Sequence, residues 1–310
     1  MPHNELRIAT RNSPLALWQA QHVRERLLYY WPLLHIELLP MTTSGDQIIH
    51  NLPQSFSGKS LFVKELEEAL LDGRADLAVH SMKDLPITLP HGLQLAAICT
   101  RESPFDAFIS TQYKTLQTLP HGAKIGTSSL RRQAQLHAER ADLHIIPLRG
   151  NVGTRLNTLD THQYDAIILA VAGLHRLGLH ARISEILSET IMLPACGQGA
   201  LGIECREGEQ RLNTLIAPLH DPLSALCVQT EREVNAYLGG NCHTPLAIYC
   251  KNDAHRLVLQ AKVAALDGSR ILMNTQTGTH QQAAQLAHQC ATALLTEGAA
   301  QLLNPSTTHE

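Results

Sequence analysis

Residues 238–245 read LGGNCHTP and place one thiol, Cys242, between a Gly239-Gly240 pair and Pro245. No second cysteine lies at metal-ligand or redox spacing from it. A solitary sulfur at the tip of a glycine turn, where it is open to oxidation, calls for a chemical reason. With His243 beside it a thiol hydrolase is one reading, although neighbours in sequence seldom meet in nucleophile–base geometry. A second set of residues falls where short apolar runs give way to polar ones. Thr10-Arg11-Asn12-Ser13, His80-Ser81-Met82-Lys83-Asp84, Ser128-Ser129-Leu130-Arg131-Arg132 and Arg149-Gly150-Asn151 with Arg155 are four such places, and YDAIILA leads to Gly173 and Arg176. Six arginines recurring at one place in a repeating pattern are more than scattered surface charge. Guanidinium forks grip carboxylates or phosphates through paired hydrogen bonds, and hydroxyls add donors. Each bond to a charged group contributes about 1.5–3 kcal/mol, so the set suits a ligand with several negative groups. Asp84 is the acid among these cations. It is either an ion-pair partner of Lys83 or a nearby arginine, or a group that moves a proton or stabilises positive charge on a substrate. Pro86 disfavours helix at Leu85, which suits a positioned side chain.

The elements that must hold these residues alternate. LRIAT is a strand, after which Ser13 reads as an N-cap and Pro14 as the first residue of a helix. HIELLPM (35–41) is a second strand; the polar stretch 42–60 has no periodicity and reads as a lid or as disorder. FVKELEEALLDG is a helix ending at glycine, and ADLAVHS and LQLAAICT are strands. The rhythm restarts with KIGT, SLRRQAQLHAER, LHIIPL, NVGTRLNTL and YDAIILA. Such alternation predicts an α/β fold with helices on both sheet faces, where ligands bind beyond the carboxyl ends of the strands. After about residue 218 the pattern changes to a helix over 223–238, a hairpin turning at Asp267-Gly268, and a closing helix, which predicts a small α+β C-terminal domain.

Composition narrows the function classes. The chain has 310 residues, 44% hydrophobic and 17% charged, and a formal net charge of −3, which argues against a general nucleic-acid binder. Cysteines 99, 196, 205, 227, 242, 250 and 290 are dispersed without a C-x-x-C, as in a reducing cytosol. No H-E-x-x-H or Cys/His cluster suggests a metal, and no Walker or dinucleotide glycine motif is present. The start, MPHNELRIAT, does not look like a secretory signal, and no run approaches the ~18 apolar residues of a membrane span.

The segments ATRNSPLALWQAQ, SLFVKELEEALLDGRADLAVHSMKDLP, IGTSSLRRQAQL, LRGNVGTRL, ILAVAGLHRLGL, LPACGQGALGIECR and EREVNAYLGGNCHTPLA together resemble the porphobilinogen deaminase family, also called hydroxymethylbilane synthases, over almost the whole chain. The resemblance implies two α/β domains like those of periplasmic binding proteins, 1–99 with 200–217 and 100–199, and an α+β domain, 218–310, that carries the cofactor cysteine. It implies a dipyrromethane cofactor bound to Cys242 as a thioether, reaching into the cleft between the first two domains, and built from the enzyme's own substrate. It implies a cytoplasmic, monomeric enzyme that joins four porphobilinogen molecules head to tail, releases ammonia each time, and frees the linear tetrapyrrole by hydrolysis. Each pyrrole bears an acetate and a propionate, so the growing chain is polyanionic, in accord with the arginine set. By match to the family motifs, Arg11, Ser13, Lys83, Ser129, Arg131, Arg132, Arg149, Arg155 and Arg176 would bind cofactor and substrate carboxylates. Asp84 would be the catalytic carboxylate, stabilising the azafulvenium cation formed as ammonia leaves. Phe62 would pack against the pyrroles, with Lys59 a further contact. Neither nucleic acid nor membrane is implied as a partner. Two departures are visible. Asn241 stands where the family usually has Gly, Ser or Ala, a residue that tolerates left-handed backbone. Cys196 replaces an aliphatic residue and reads as a small buried hydrophobe. A solute-binding or sensor protein on the same two-lobed scaffold is the rival from another class, since fold does not fix function.

Overall fold

The computed structural model describes residues 4–44, 63–241 and 244–303. Cys242, His243, Phe62, Lys59 and all of the 42–60 stretch beyond Ser44 lie outside the described residues.

The chain opens with β1 (Glu5–Arg11), α1 (Pro14–Tyr30), β2 (His35–Met41), α2 (Lys64–Leu71), β3 (Leu77–Ser81) and β4 (Leu93–Ile98). Helix α1 starts where expected: the Ser13 hydroxyl accepts from the Ala16 N–H at 3.3 Å, and Pro14 is the first helical residue. It stops at Trp31, because Pro32 follows and disfavours helix in the residue before it. Helix α2 ends at Gly73, whose φ of +74° is the left-handed conformation that a glycine adopts without steric cost. Strand β1 runs parallel to both β2 and β3.

The second run comprises β5 (Asp106–Ile109), β6 (Lys124–Gly126), α3 (Leu130–Glu139), β7 (His144–Ile146), α4 (Val152–Asp160), β8 (Ala166–Ala170), α5 (Val171–Arg176) and β9 (Glu185–Ile186). Strand β6 is parallel to β7 and β8, while β5 is antiparallel to β8 and β9. Then β10 (Leu201–Arg206) joins the first sheet, antiparallel to β3 and β4, ahead of α6 (Gln210–Ile216) and α7 (Pro222–Leu238). The two sheets have strand orders β2-β1-β3-β10-β4 and β7-β6-β8-β5-β9, each a parallel trio completed by an antiparallel strand and an edge strand. Such a trio puts successive strand ends, and the helix starts after them, along one edge of its sheet.

Both faces of each sheet are covered, as alternating side chains require. In the first, Leu6, Ile8, Leu77, Val79 and Ile203 pack with Val23 and Leu27 of α1, while Ala9 and Ala78 face Leu66, Ala69 and Leu70 of α2. In the second, Phe108, Ile125 and Ile168 pack with Leu136, and Ile109, Ile167 and Leu169 with Leu156 and Leu159. The third sheet is an antiparallel meander of β11 (Leu246–Asp253), β12 (Arg256–Ala264) and β13 (Ile271–Thr279). It is backed by α7 and α8 (Ala283–Thr296), with the short α9 (Ala299–Leu303) closing the described chain. The fold is therefore mixed α/β with a small C-terminal sheet-and-helix domain. By internal contacts the chain groups into two compact units, Met1–Glu102 with Ala200–Ala225, and Ser103–Gly199 with Leu226–Glu310.

Candidate functional site

In the first unit the ends of β1 and β3 are tied together. Arg11 ends β1; buried Thr10 donates its hydroxyl to Ala16 O (3.0 Å), and Asn12 N–H bonds Met41 O (3.0 Å). Gln19, on α1 and buried, donates from Nε2 to the Ser81 hydroxyl at 2.9 Å, fixing the end of β3. A single 3₁₀ turn, Met82–Asp84, follows. Its anchor is Met82, buried, with its N–H on Ala200 O at 3.0 Å and its sulfur against Gly202 of β10, where any Cβ would collide with it. That anchor leaves Lys83 half-buried and Asp84 exposed. Arg11, Gln19, His80, Ser81 and Asp84 line one small cavity of about 30 Å³, floored by Val63, Leu66 and Val79. It has room for a water or two.

Beside this cavity lies a buried set of titratable groups. His80 Nε2 and Glu204 Oε2 are 2.8 Å apart, and both side chains are at least nine-tenths buried. Glu67 of α2 is 5% exposed, and its acid is pushed up to about 7 by burial first and then by the Glu204 charge, with His80 opposing.

In the second unit the strand ends divide into two kinds. Ser129 is the N-cap residue of α3 by backbone, with no side-chain cap bond; its N–H bonds the Thr127 hydroxyl at 3.2 Å. Arg131 and Arg132 turn inward and are 5% and 6% exposed. Arg131 donates to Asp106 Oδ2 and Leu193 O, both at 2.7 Å; Arg132 donates to Asp106 Oδ1 at 2.6 Å and Ile168 O at 2.9 Å. Gln198 Nε2 completes the ring at 3.0 Å from Asp106 Oδ1. Burial alone would raise the Asp106 pKa, but the two guanidinium groups outweigh it and hold the carboxyl far below its usual range. Two cations on one buried anion leave a net positive charge at the start of α3.

The other arginines lie further out. Arg149 is exposed, just before Gly150 with its φ of +100°. Arg155, on α4, is half-buried and donates from Nε to Gly150 O at 2.7 Å, while the Asn151 side chain caps α4 by accepting from Thr154 N–H at 2.9 Å. Arg176 reaches Gly199 O at 2.6 Å. The sequence reading missed Asp106, Gln198 and Glu231. A clue for the first was its place opening the otherwise apolar run DAFI. Glu231 of α7 is fully buried and accepts from Gly197 N–H (2.6 Å) and Cys250 N–H (2.8 Å), which clamps the helix leading to the LGGNCHTP turn. In that turn Gly239 has a φ of +65°, and a Cβ on Gly240 would strike Asn235 and Leu246. Asn241 is not among the left-handed residues, so the tolerance expected of it is not used; its carbonyl and N–H both bond the Thr244 hydroxyl (2.7 and 3.1 Å). Cys196 is only half-buried, against the expectation of a buried hydrophobe, and borders the C-terminal core.

In each unit, then, donors stand at the strand ends of an α/β sheet, the chemistry that suits carboxylate or phosphate groups. Residues 6–214 match the family described as porphobilinogen deaminase, dipyromethane cofactor binding domain, and residues 225–296 match the porphobilinogen deaminase C-terminal domain. Porphobilinogen deaminases of Legionella pneumophila strains Lens and Paris are each 58% identical over 300 residues, which cover 96% of this chain and 97% of theirs. Among solved structures, a putative methionine-binding lipoprotein from Bacillus subtilis is similar with a TM-score of 0.45 and 17% identity, over 72% of this chain and 93% of that one. The chain belongs to the porphobilinogen deaminase family. Among the described residues no helix is long and apolar enough to cross a membrane, and no group of His, Cys, Asp or Glu could hold a metal ion.

Proposed function

We propose that this chain is a hydroxymethylbilane synthase of tetrapyrrole biosynthesis. It condenses four porphobilinogen molecules head to tail with loss of ammonia at each coupling, then hydrolyses the linear product free. The observation that carries the reading is family membership over both matched segments, together with cations at the strand ends that suit acetate and propionate groups.

The dipyrromethane group is attached as a thioether to Cys242. The residues of the chain fit such a group: the thiol follows a turn in which Gly239 takes a positive φ and Gly240 has no room for a side chain, and hydroxyl, amide and guanidinium donors stand at the strand ends. When bound, the group supplies the pyrrole end from which the product grows. Arg11, Ser13, Lys83, Ser129, Arg149, Arg155 and Arg176 take cofactor and substrate carboxylates, and Phe62 packs against the rings. Arg131 and Arg132 contribute through the positive charge they retain beside Asp106 and through the guanidinium N–H groups that charge carries. Asp84, exposed on its anchored turn, faces the opposite task. As the ammonium leaves, the substrate's ring carbon and nitrogen become positive, and a fixed carboxylate stabilises that charge more than the neutral ground state. The periphery of the substrate is thus held by cations and its reacting centre by one anion. We further infer three domains, 1–99 with 200–217, 100–199 and 218–310, in a cytoplasmic monomer whose partner is a small molecule rather than nucleic acid or membrane.

Intact mass of the purified protein tests the attachment. The expected result is a covalent addition of two linked pyrrole units, lost in Cys242→Ser; an unmodified and fully active wild type refutes it. Arg149→Ala and Arg155→Ala should each slow elongation by about tenfold or more, one charge-assisted hydrogen bond being worth roughly 1.5–3 kcal/mol. Wild-type elongation rates in both variants would remove these residues from the site.

A further inference from the structure

The buried acids of the first unit have a task that their surroundings define. Glu67 and Glu204 each keep one carboxylate oxygen, Oε1, buried and without a hydrogen-bond partner. A buried polar atom left unpartnered is costly, and two buried carboxylates that feel each other's charge cannot both remain charged at low cost. Alternation along the strands puts these residues on one face: Ala78 and His80 of β3, Gly202, Glu204 and Arg206 of β10, and Ala9 and Arg11 of β1 all point toward α2. Helix α2 packs on β1, β3, β4 and β10, so each could supply a counter-charge. On β3 the titratable group is His80, already bonded to Glu204 Oε2. On β10, Arg206 is engaged by Leu70 O, Ala75 O, Glu209 and Asp76. On β1, Glu5 is exposed, Arg7 is turned to Asp76 and Gly73 O, and Arg11 lines the cavity. Strand β4 has no titratable residue. On α2 itself, Glu65 bonds Ser44, and Lys64 pairs with Glu68 at the surface.

We propose that Glu67 is held in the fold as a neutral acid that donates its proton to Glu204, and that this positioning residue keeps a buried negative charge from accumulating behind the cavity lined by His80, Ser81 and Asp84. One proton between the two Oε1 atoms gives both a partner. His80 carries the effect forward, since it bonds Glu204 on one side and lines the cavity on the other. The direction of the Glu67 shift agrees: the acid is raised to about 7, first by burial and then by Glu204. The functional half of the proposal rests on the anionic substrate proposed above. Loss of the Glu67 proton adds a buried charge that repels that substrate. At an effective dielectric constant of about 20, one charge roughly 10 Å from an anion changes its affinity about tenfold.

The test compares wild type with Glu67→Gln, whose amide can donate to Glu204 as the acid does, in the cofactor-loaded enzyme. Infrared titration should show a protonated-carboxyl band at pH 6 that is lost by pH 9, and no such band in Glu67→Gln. That arm is independent of what the enzyme binds. Its failure, with the band missing in wild type or unchanged in the variant, overturns the proton assignment. In the second arm the KM for porphobilinogen should rise about tenfold between pH 6 and 9 in wild type and stay flat in the variant, with kcat at pH 6 equal in both. An equal rise in both overturns the positioning role. If the variant does not fold, the wild-type urea midpoint decides. A raised acid pKa means that the native state binds more protons than the unfolded one between about 4.5 and 7, so stability falls as pH rises through that window. A midpoint that holds or climbs from pH 5 to 8 overturns the proposal.

Discussion

Asp84→Ala should lower the rate of porphobilinogen consumption by about a hundredfold to a thousandfold while leaving the unfolding midpoint where it was, because charge stabilisation by one fixed group is worth roughly 10²–10³ in rate. The second half of that expectation follows from how the turn is built. Met82 supplies the buried contact and the bond to Ala200 O, and Gln19 fixes Ser81. The Asp84 side chain is exposed and adds nothing to that anchor. Asp84→Asn separates charge from shape. It keeps the size and the acceptor oxygen but loses the anion, so it should lose nearly as much activity as alanine. Single-turnover measurement of ammonia release in wild type, Asp84→Asn and Asp84→Ala checks this. An asparagine variant with most of the wild-type rate would mean that a neutral hydrogen-bond acceptor suffices, and the electrostatic role would fall.

What could be read from the residues alone depended on how local the cause was. The start of α1 is local: Ser13 and Pro14 specify it between them, and the structure begins the helix there. The LHIIPL and YDAIILA runs sit at β7 and β8 for the same reason, short apolar segments bounded by turn residues. Strand direction is not local. Nothing in LGIECR or DAFI shows that β10 and β5 run antiparallel to their neighbours, since a short apolar run has the same pattern either way. Family resemblance supplied the activity, which spacing and charge alone had left at a polyanion binder with one odd acid. The arginines show where residue type stops being informative. Arg131 and Arg149 both follow a strand and both read as ligand-facing forks. One is buried against an acid 25 positions away, while the other is exposed. A guanidinium cannot reveal its partner until the fold chooses between solvent, ligand and protein carboxylate.

Asp106 makes that choice for two arginines at once, so Asp106→Ala has the largest structural effect expected in the molecule. The carboxylate is fully buried and takes Arg131, Arg132 and Gln198 together. Removing it strands two guanidinium groups in a site that water does not reach. Truncating one member of a buried ion pair costs about 3–5 kcal/mol, and here one truncation leaves two charges uncompensated, so the loss should reach the upper part of that range. The damage is local in kind: α3 loses its tie to β5, and Leu193 and Ile168 keep donors whose positions were set by the missing acid. Hydrogen exchange resolves it by segment. Amides of Ala107–Ile109, Leu130–Glu139 and Ala166–Ala170 should exchange about 10³ times faster or more, a cost of about 4–5 kcal/mol if the two processes share one opening, while β1 and β3 keep wild-type protection. Acid should not mimic the variant near neutrality. A depressed carboxyl pKa stabilises the fold at every pH above the ordinary carboxylate value, and its contribution fades only as pH falls through and below that value. Should Asp106→Ala exchange like wild type in the second sheet, the arginines would be held by the Leu193 and Ile168 carbonyls and by the α3 backbone rather than by the acid, and their inward turn would owe nothing to charge.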